Sequence, residues 1–543
     1  MLENFLRLCL LLLTCEGANW NGWSLNDNND RYQRSLLPFK LPTDSPKPVQ
    51  FKEKWFYKTD GPVTATPTIY ENRIYFPDNS GKLYSLTLNG KLDWNVSIGK
   101  LLGSSIYNSR TSPVVHGNML VLGTQAGVIA DSSVNPDGAK LFAVSRANGK
   151  LLWSTTVDEH LAAVITTSAV VVGDRAFIGV SSKEENLADD KNYKCCTFQG
   201  SVVAVNVTSG KIIWKTKMLP DNKNKPGGYA GSAVWGSSFP VDQKRNQIYV
   251  ATGNNYMLPK SIQKCISGTE KIKHLFVADP CQERDNYGQS VMAIDMNSGQ
   301  VRWVESLGPI NAFTASCLAL GASKTSAINC PKNPGPDYDF GQAPILKRHI
   351  PYKFGGEKRD QIYVGQKSGQ AYAFDAETGY LIWTTVGGPG SAVGGMEFGS
   401  TADDDYFYVG NNNADLKQYT LPNGRKTRAP SWSSISLKTG KIRWTTTDPQ
   451  GLNGSAFAPL TIWDQLVLVQ GGTQPLSIRM QGDSNFTRGC LYGLRKDDGH
   501  ILYEKCIDNK IGGGASVVDK IIYLGSGYQL TTSSGGLYAL ELP

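Results

Sequence analysis

Short runs of alternating apolar and polar residues cover almost the whole chain, and they come in pairs. In Gly369 to Trp383, "GQAYAFDAETGYLIW", Tyr372 and Phe374 mark the period of a strand. The polar turn "DAETG" follows, with Gly379 free to adopt a positive φ, and a second run closes on Trp383. Each such phrase predicts a β-hairpin. The phrase returns as "GSVVAVNVTSGKIIW", "GQSVMAIDMNSGQVRW" and "WSSISLKTGKIRW", and the aromatic closers round the chain are Trp55, Trp94, Trp153, Trp214, Trp303, Trp383, Trp444 and Tyr503. Between closers lie further strand-like runs, such as "TTSAVVVGDRAFIGV" and "NQIYVATG", so each unit reads as a four-stranded antiparallel sheet. Eight closers predict an all-β fold, an eight-bladed β-propeller with four-stranded antiparallel blades. The last phrase, "GGLYALELP", stops after its first strand, and a matching closer stands in "VQFKEKWFYKTDG" near the other end. The ring is therefore expected to close by pairing of N- and C-terminal strands. Most of these tryptophans are expected to be packing residues between sheets.

Composition supports one large repeat architecture. The 543 residues are 40% hydrophobic and 19% charged, with 57 Gly and 27 Pro, which describes a turn-rich globular chain and excludes most disordered classes. The net charge of +8 is dispersed, so no nucleic-acid footprint is formed. An apolar run from Phe5 to Cys15 followed by Gly17 and Ala18 reads as a signal peptide over residues 1–18, with the propeller over 19–543. No later run approaches the ~20 apolar residues of a membrane helix. The expected location is secreted or extracellular, periplasmic if the source is bacterial. Beyond Cys9 and Cys15 the cysteines form an even set, Cys195, Cys196, Cys265, Cys281, Cys317, Cys330, Cys490 and Cys506, which suits an oxidising compartment. Cys490 and Cys506 sit on two arms of one hairpin, whereas Cys265 with Cys281 and Cys317 with Cys330 would close local loops; Cys195 and Cys196 pair with each other or elsewhere. Sequons at Asn95, Asn206, Asn453 and Asn485 would carry glycans in a eukaryotic secretory route.

The repeat is broken by three long insertions, Ser181 to Cys196, Met257 to Gly288 and Glu305 to Gly341. They belong to neighbouring units and are expected to crowd one face. Around them, "GGYAGSAVWGSSFPVDQKRNQIYVATGNNY", "CCTFQGSVVAVN" and "NPGPDYDFGQAPIL", with the Trp-closed hairpins, resemble the pyrroloquinoline quinone (PQQ) dehydrogenases, most closely the polyvinyl-alcohol-dehydrogenase-like branch. The resemblance covers about Asn19 to Pro543.

Carried over residue by residue, the resemblance implies a cofactor site. Trp235 matches the aromatic floor under the planar quinone. Asn254 and Glu184 match calcium ligands, with Glu185 adjacent to the latter and competing for its role. Asp339 matches the residue that binds the metal and takes the alcohol proton, next to Asp337. Lys367 matches the lysine at the quinone oxygens, Arg110 the arginine on a cofactor carboxylate, and Thr166 a further carboxylate contact. The implied cofactors are PQQ and Ca²⁺, and the implied reaction is oxidation of an alcohol or polyol. Two departures stand out. Where many relatives carry a vicinal cysteine pair over the quinone, this chain has Gly103, Ser104 and Ser105; where methanol-type enzymes place an asparagine, it has Met396 and Glu397. There is no Cys-x-x-Cys-His haem site, so electrons are expected to leave to a separate acceptor. The five histidines spell no zinc cluster, and neither a nucleophile elbow nor a phosphate loop occurs. The competing reading is a non-catalytic secreted propeller, a ligand-binding or scaffold protein that keeps the hairpins because they fold.

Overall fold

The computed structural model describes residues 19–34, 40–42, 47–127, 133–268, 279–318, 327–353, 355–472, 488–528 and 534–543. The expected signal peptide and the Asn485 sequon lie outside the described residues. The predicted hairpins are present as antiparallel ladders. Gln370–Asp375 pairs with Leu381–Val386, with a register shift between Ala373 and Phe374 just before the closing Trp383. Inner strands are short and buried, whereas outer strands alternate in exposure, as in Ile212–Lys217.

The sheets pack radially, and the expectation of eight equivalent four-stranded blades is corrected. Seven blades are each built from one contiguous stretch, from Thr68–Ser97 round to Thr461–Ile507. The remaining sheet is a composite: Ser516–Val518, Ile521–Ser526 and Gly535–Glu541 take their outer strand, Lys52–Thr59, from the other end of the chain, with Trp55 opposite Ala539. Nor are the blades uniform or wholly antiparallel. The Thr461–Ile507 blade is widened to six strands by Tyr32–Gln33 and Val49–Gln50, both parallel to their neighbours. Ala163–Val164 adds a fifth strand to the blade containing Arg175–Ser182. Residues before the first blade have no fixed partner in the repeat, so they use the free edges that the repeat leaves open.

The recurring Trp and Gly are halves of one contact between blades. Trp303 Nε1 donates to Ala376 O at 3.2 Å, and Trp383 Nε1 to Leu437 O at 2.8 Å, each in the hairpin turn of the next blade. A Cβ on Gly379, which has φ +77°, would lie 2.5 Å from the Trp303 ring. Gly90 and Gly440 meet Trp55 and Trp383 in the same way. Only glycine both adopts this conformation and lets the ring approach.

The N-terminal segment closes the centre of the ring as a strap. Backbone amides of Ile69, Val241, Leu346, Ala402 and Ile462, all on inner strands, donate to carbonyls of Trp20, Asp27, Asn28, Asp30 and Arg31. Asn21 brackets Val115 with both ends of its amide. Arg31 is fully buried, its guanidinium donating to Leu460 O and Ala515 O, both at 2.8 Å, and stacking 4.5 Å from the Trp23 ring centroid. A buried Asp30–Lys347 ion pair at 3.1 Å accompanies it.

Among the described residues four disulfides are formed, Cys195–Cys196, Cys265–Cys281, Cys317–Cys330 and Cys490–Cys506. The three insertions pack on one another: Asn329 Nδ2 donates to the carbonyls of Ala188, Asp190 and Tyr193, and Ile310 N donates to Asp279 Oδ2. Among the described residues no helix is long and apolar enough to cross a membrane.

Candidate functional site

In a four-stranded antiparallel blade, the link from strand two to strand three and the link to the next blade leave from the same end. The candidate residues fall in those links. Arg110, Thr166, Trp235, Asp337, Asp339 and Glu397 precede inner strands, while Glu185, Asn254 and Lys367 follow second strands. Radial packing therefore brings them to one mouth although they span positions 110 to 397.

Arg110, Thr166, Glu185, Trp235, Asp337 and Lys367 line a cavity of about 180 Å³ there, with Tyr256, Phe313 and Phe398 as neighbours, while Asn254, Asp339 and Glu397 stand behind its wall. Trp235 forms the floor, with Phe398 set edge-on at 6.0 Å. Thr166 Oγ1 holds the Trp235 backbone at 3.2 Å. A second cavity of about 40 Å³ shares Arg110, Thr166, Trp235 and Phe398 and reaches Trp23 of the strap, so the strap side of the axis is filled. The Lys367 ammonium stands 5.2 Å over the Trp235 ring, 3.1 Å from Asp337 Oδ2, 3.8 Å from Asp339 Oδ2 and 4.0 Å from Glu397 Oε1. Close approach is again bought by glycine: a Cβ on Gly341 would lie 2.5 Å from the Trp235 ring, and one on Gly253 2.9 Å from Asp339 Oδ2.

The two aspartates of "DYD" are used differently. Both oxygens of Asp339 are taken, Oδ2 by Trp235 Nε1 at 2.8 Å and Oδ1 by the Asn254 amide at 2.6 Å. Asp339 thus orients the floor. Asp337, at φ +58°, turns its carboxyl into the cavity, and its Oδ1 has no hydrogen-bond partner. Asn254 is completely buried, and its Oδ1 is likewise unpartnered. Glu184 does not line this cavity. It accepts from Tyr193 Oη at 2.9 Å and from the amides of Thr197 and Phe198, both at 2.8 Å, so it ties the insertion together. One residue on, along the short helix Glu184–Leu187, Glu185 lines the cavity instead.

The electrostatics follow from four carboxyls crowding two cations. Burial raises Asp337 well above the usual carboxyl range, with Lys367 opposing and Glu185 and Asp339 adding to the rise. Glu185 is raised by burial and by Asp339, again against Lys367. Glu397 is pushed up to about 7 by burial, with Lys367 and Arg110 opposing. For Lys367, burial disfavours the charge, but Asp337, Asp339, Glu397 and Glu185 together raise its pKa well above the lysine value. Burial lowers that of Arg110. Such a carboxyl excess suits a cation, while Lys367 and Arg110 offer the positive charge that an anionic ligand would need. Among the described residues no three His, Cys, Asp or Glu side chains form a metal cage by themselves. An ion here would need the orphaned Asn254 Oδ1, a hard neutral donor, beside Glu185 and Asp339.

Comparison with known proteins agrees with this architecture. The PQQ_2 family model, described as outer membrane protein assembly factor BamB, matches residues 50–189 and 287–542. A polyvinylalcohol dehydrogenase of Sphingopyxis sp. (strain 113P3) is 31% identical over 78% of the chain, which spans 58% of that relative's length. A polyvinylalcohol dehydrogenase of Pseudomonas sp. is 27% identical over 96% of the chain and 75% of its own length. Among solved structures, a quinohemoprotein alcohol dehydrogenase of Pseudomonas putida HK5 superposes with a TM-score of 0.64 at 16% identity, over 97% of this chain and 81% of that one, a likeness of fold. The chain therefore belongs to the PQQ_2 family of repeat propellers, and within that family it is similar to the polyvinylalcohol dehydrogenases.

Proposed function

We propose that this protein is a quinoprotein alcohol dehydrogenase that holds PQQ above Trp235 and oxidises an alcohol or polyol. The observation that carries the reading is the stack of Lys367 5.2 Å over an indole floor with Asp337 3.1 Å beside it. A flat π surface suits a planar ring system, and Lys367 and Arg110 suit an anionic one. Glu185, Asn254 and Asp339 would hold Ca²⁺, with Glu185 in the place expected of Glu184. When bound, the quinone supplies the hydride-accepting carbon and the ion polarises it. Asp337, whose carboxyl faces the cavity, takes the hydroxyl proton; Asp339, with both oxygens engaged, positions Trp235 and Asn254. Lys367 orients Asp337 and offsets negative charge. The disulfide-tied insertions form the mouth and limit water entry. Electrons leave to a separate acceptor, and the setting is extracytoplasmic.

The competing reading, a non-catalytic scaffold, has the BamB description of the family model in its favour. Against it stands the cost of crowding four carboxyls and two cations at one place, with Asp337, Asp339 and Lys367 buried, which a scaffold has no use for. The test is reconstitution of the full chain with PQQ and CaCl₂, followed by dye-linked assay on primary, secondary and polymeric alcohols. Stoichiometric quinone absorbance and alcohol-dependent dye reduction are expected. A folded protein that takes up no quinone and reduces no dye overturns the proposal.

A further inference from the structure

Glu397 stands with Met396 where the resemblance places an asparagine of methanol-type enzymes, and its surroundings differ from those of the other three carboxyls. Its side chain is 9% exposed, and its nearest cation, Lys367, is 4.0 Å away, beyond hydrogen-bond distance. The Cβ position on Gly341 that abuts the Trp235 ring at 2.5 Å is 3.3 Å from Glu397 Cγ, so the carboxyl lies at the edge of the aromatic floor. A backbone bridge between Gly341 and Glu397, with Phe398 N donating to Gly341 O at 3.1 Å, fixes it there. The charged groups around it are Lys367 from the link after Lys358–Gly365, Asp337 and Asp339 from the link before Ile345–Pro351, Arg110 from the link before Val114–His116, and Glu185 from the short helix. Asp339 is committed to two N–H donors and Asp337 to Lys367, while Glu185 is the proposed metal ligand. Glu397 alone has no such commitment.

We propose that Glu397 makes uptake of the anionic cofactor proton-linked, entering the complex as the neutral carboxylic acid and so drawing one proton from solvent at alkaline pH. The inference rests on the proposed quinone site. The reason is electrostatic: a tricarboxylate laid on Trp235 brings negative charge against a buried carboxyl whose nearest cation is out of hydrogen-bonding range and shared with Asp337. Neutralising the side chain removes the repulsion. Burial has already moved its titration to about 7 in the empty cavity, so the proton is available on binding.

The test is calorimetric titration of PQQ into the full chain at saturating CaCl₂, in paired buffers of different ionisation heat, so that proton uptake is measured directly. Saturating calcium keeps Glu185 and Asp339 in one state in all variants. For the unaltered protein, close to one proton is taken up on the alkaline side of the Glu397 titration, and Kd weakens there by up to about tenfold per pH unit. Glu397→Gln takes up one proton fewer, shows a flatter profile and binds more tightly than the unaltered protein at the alkaline end. Glu397→Asp retains the proton uptake. Equal proton uptake and equal pH slopes in the unaltered protein and Glu397→Gln overturn the linkage while leaving the quinone site standing. Folded protein that binds no PQQ at any pH overturns both.

Discussion

Exchanging each aspartate of "DYD" for asparagine separates the two roles assigned here. In Asp337→Asn the side-chain oxygen can still accept from Lys367, which stands 3.1 Å away, while the basic lone pair is lost. Losing a general base costs about 10²- to 10⁴-fold in turnover, or roughly 2.7 to 5.5 kcal/mol at ~1.36 kcal/mol per decade. Burial disfavours charge on Asp337 and the amide keeps an acceptor for Lys367, so the loss of the buried ion pair is partly offset. Asp339→Asn behaves differently. Two N–H donors, at 2.8 and 2.6 Å, then face one oxygen and one amino group, so one donor is left unpaired at about 1 to 3 kcal/mol. The floor tryptophan and Asn254 lose their anchor together. Dye-linked kinetics, bound-quinone absorbance and thermal melts on both variants decide the matter. Asp337→Asn should stay folded, bind quinone and be inactive; Asp339→Asn should stay folded but hold quinone and calcium less well. An active Asp337→Asn, or an inactive Asp339→Asn with unchanged melting and cofactor binding, would refute the assignment.

Gly379→Ala places a Cβ 2.5 Å from the Trp303 ring at φ +77°, so denaturant titration should show a loss of about 2 to 4 kcal/mol from strain and overpacking. Glu185→Gln should weaken calcium binding about tenfold or more in a competition assay with a chelator dye, whereas Glu184→Gln should lower the melting temperature instead. In the cofactor-free protein Glu397 titrates near 7 against 4.5 when unfolded. The native state holds the extra proton in that window, so stability should fall by up to about 3 kcal/mol as pH rises across it, and Glu397→Gln should remove that part of the dependence. Deleting residues 19–33 strips hydrogen bonds from inner strands all round the ring, and a melting curve that does not move would show that the strap is ornamental.

The hairpins were legible because their signals are local. Alternation in "AYAF", a turn ending in Gly379 and an aromatic closer need only a dozen residues of chain, and backbone sterics allow few other readings. The residue types of the site were legible too, through the resemblance carried by "AVWGSS", "ATGNNY" and "DYDFG". Position along the chain could not say which of two neighbouring carboxyls faces the cavity. That choice depends on φ +58° at Asp337, on the donors that the folded insertion turns toward Glu184, and on the donors that distant segments bring to Asp339. The count of equivalent blades failed for a related reason: a closing aromatic marks a hairpin, while the partners of Lys52–Thr59, Tyr32–Gln33 and Val49–Gln50 are set by which edges the finished ring leaves open. The strap has no periodicity to read, since each of its carbonyls is matched to a different inner strand. Even the recurring Trp and Gly, visible in every phrase, meet only between blades, because a ring's contacts are made by radial packing and a chain shows only neighbours in sequence.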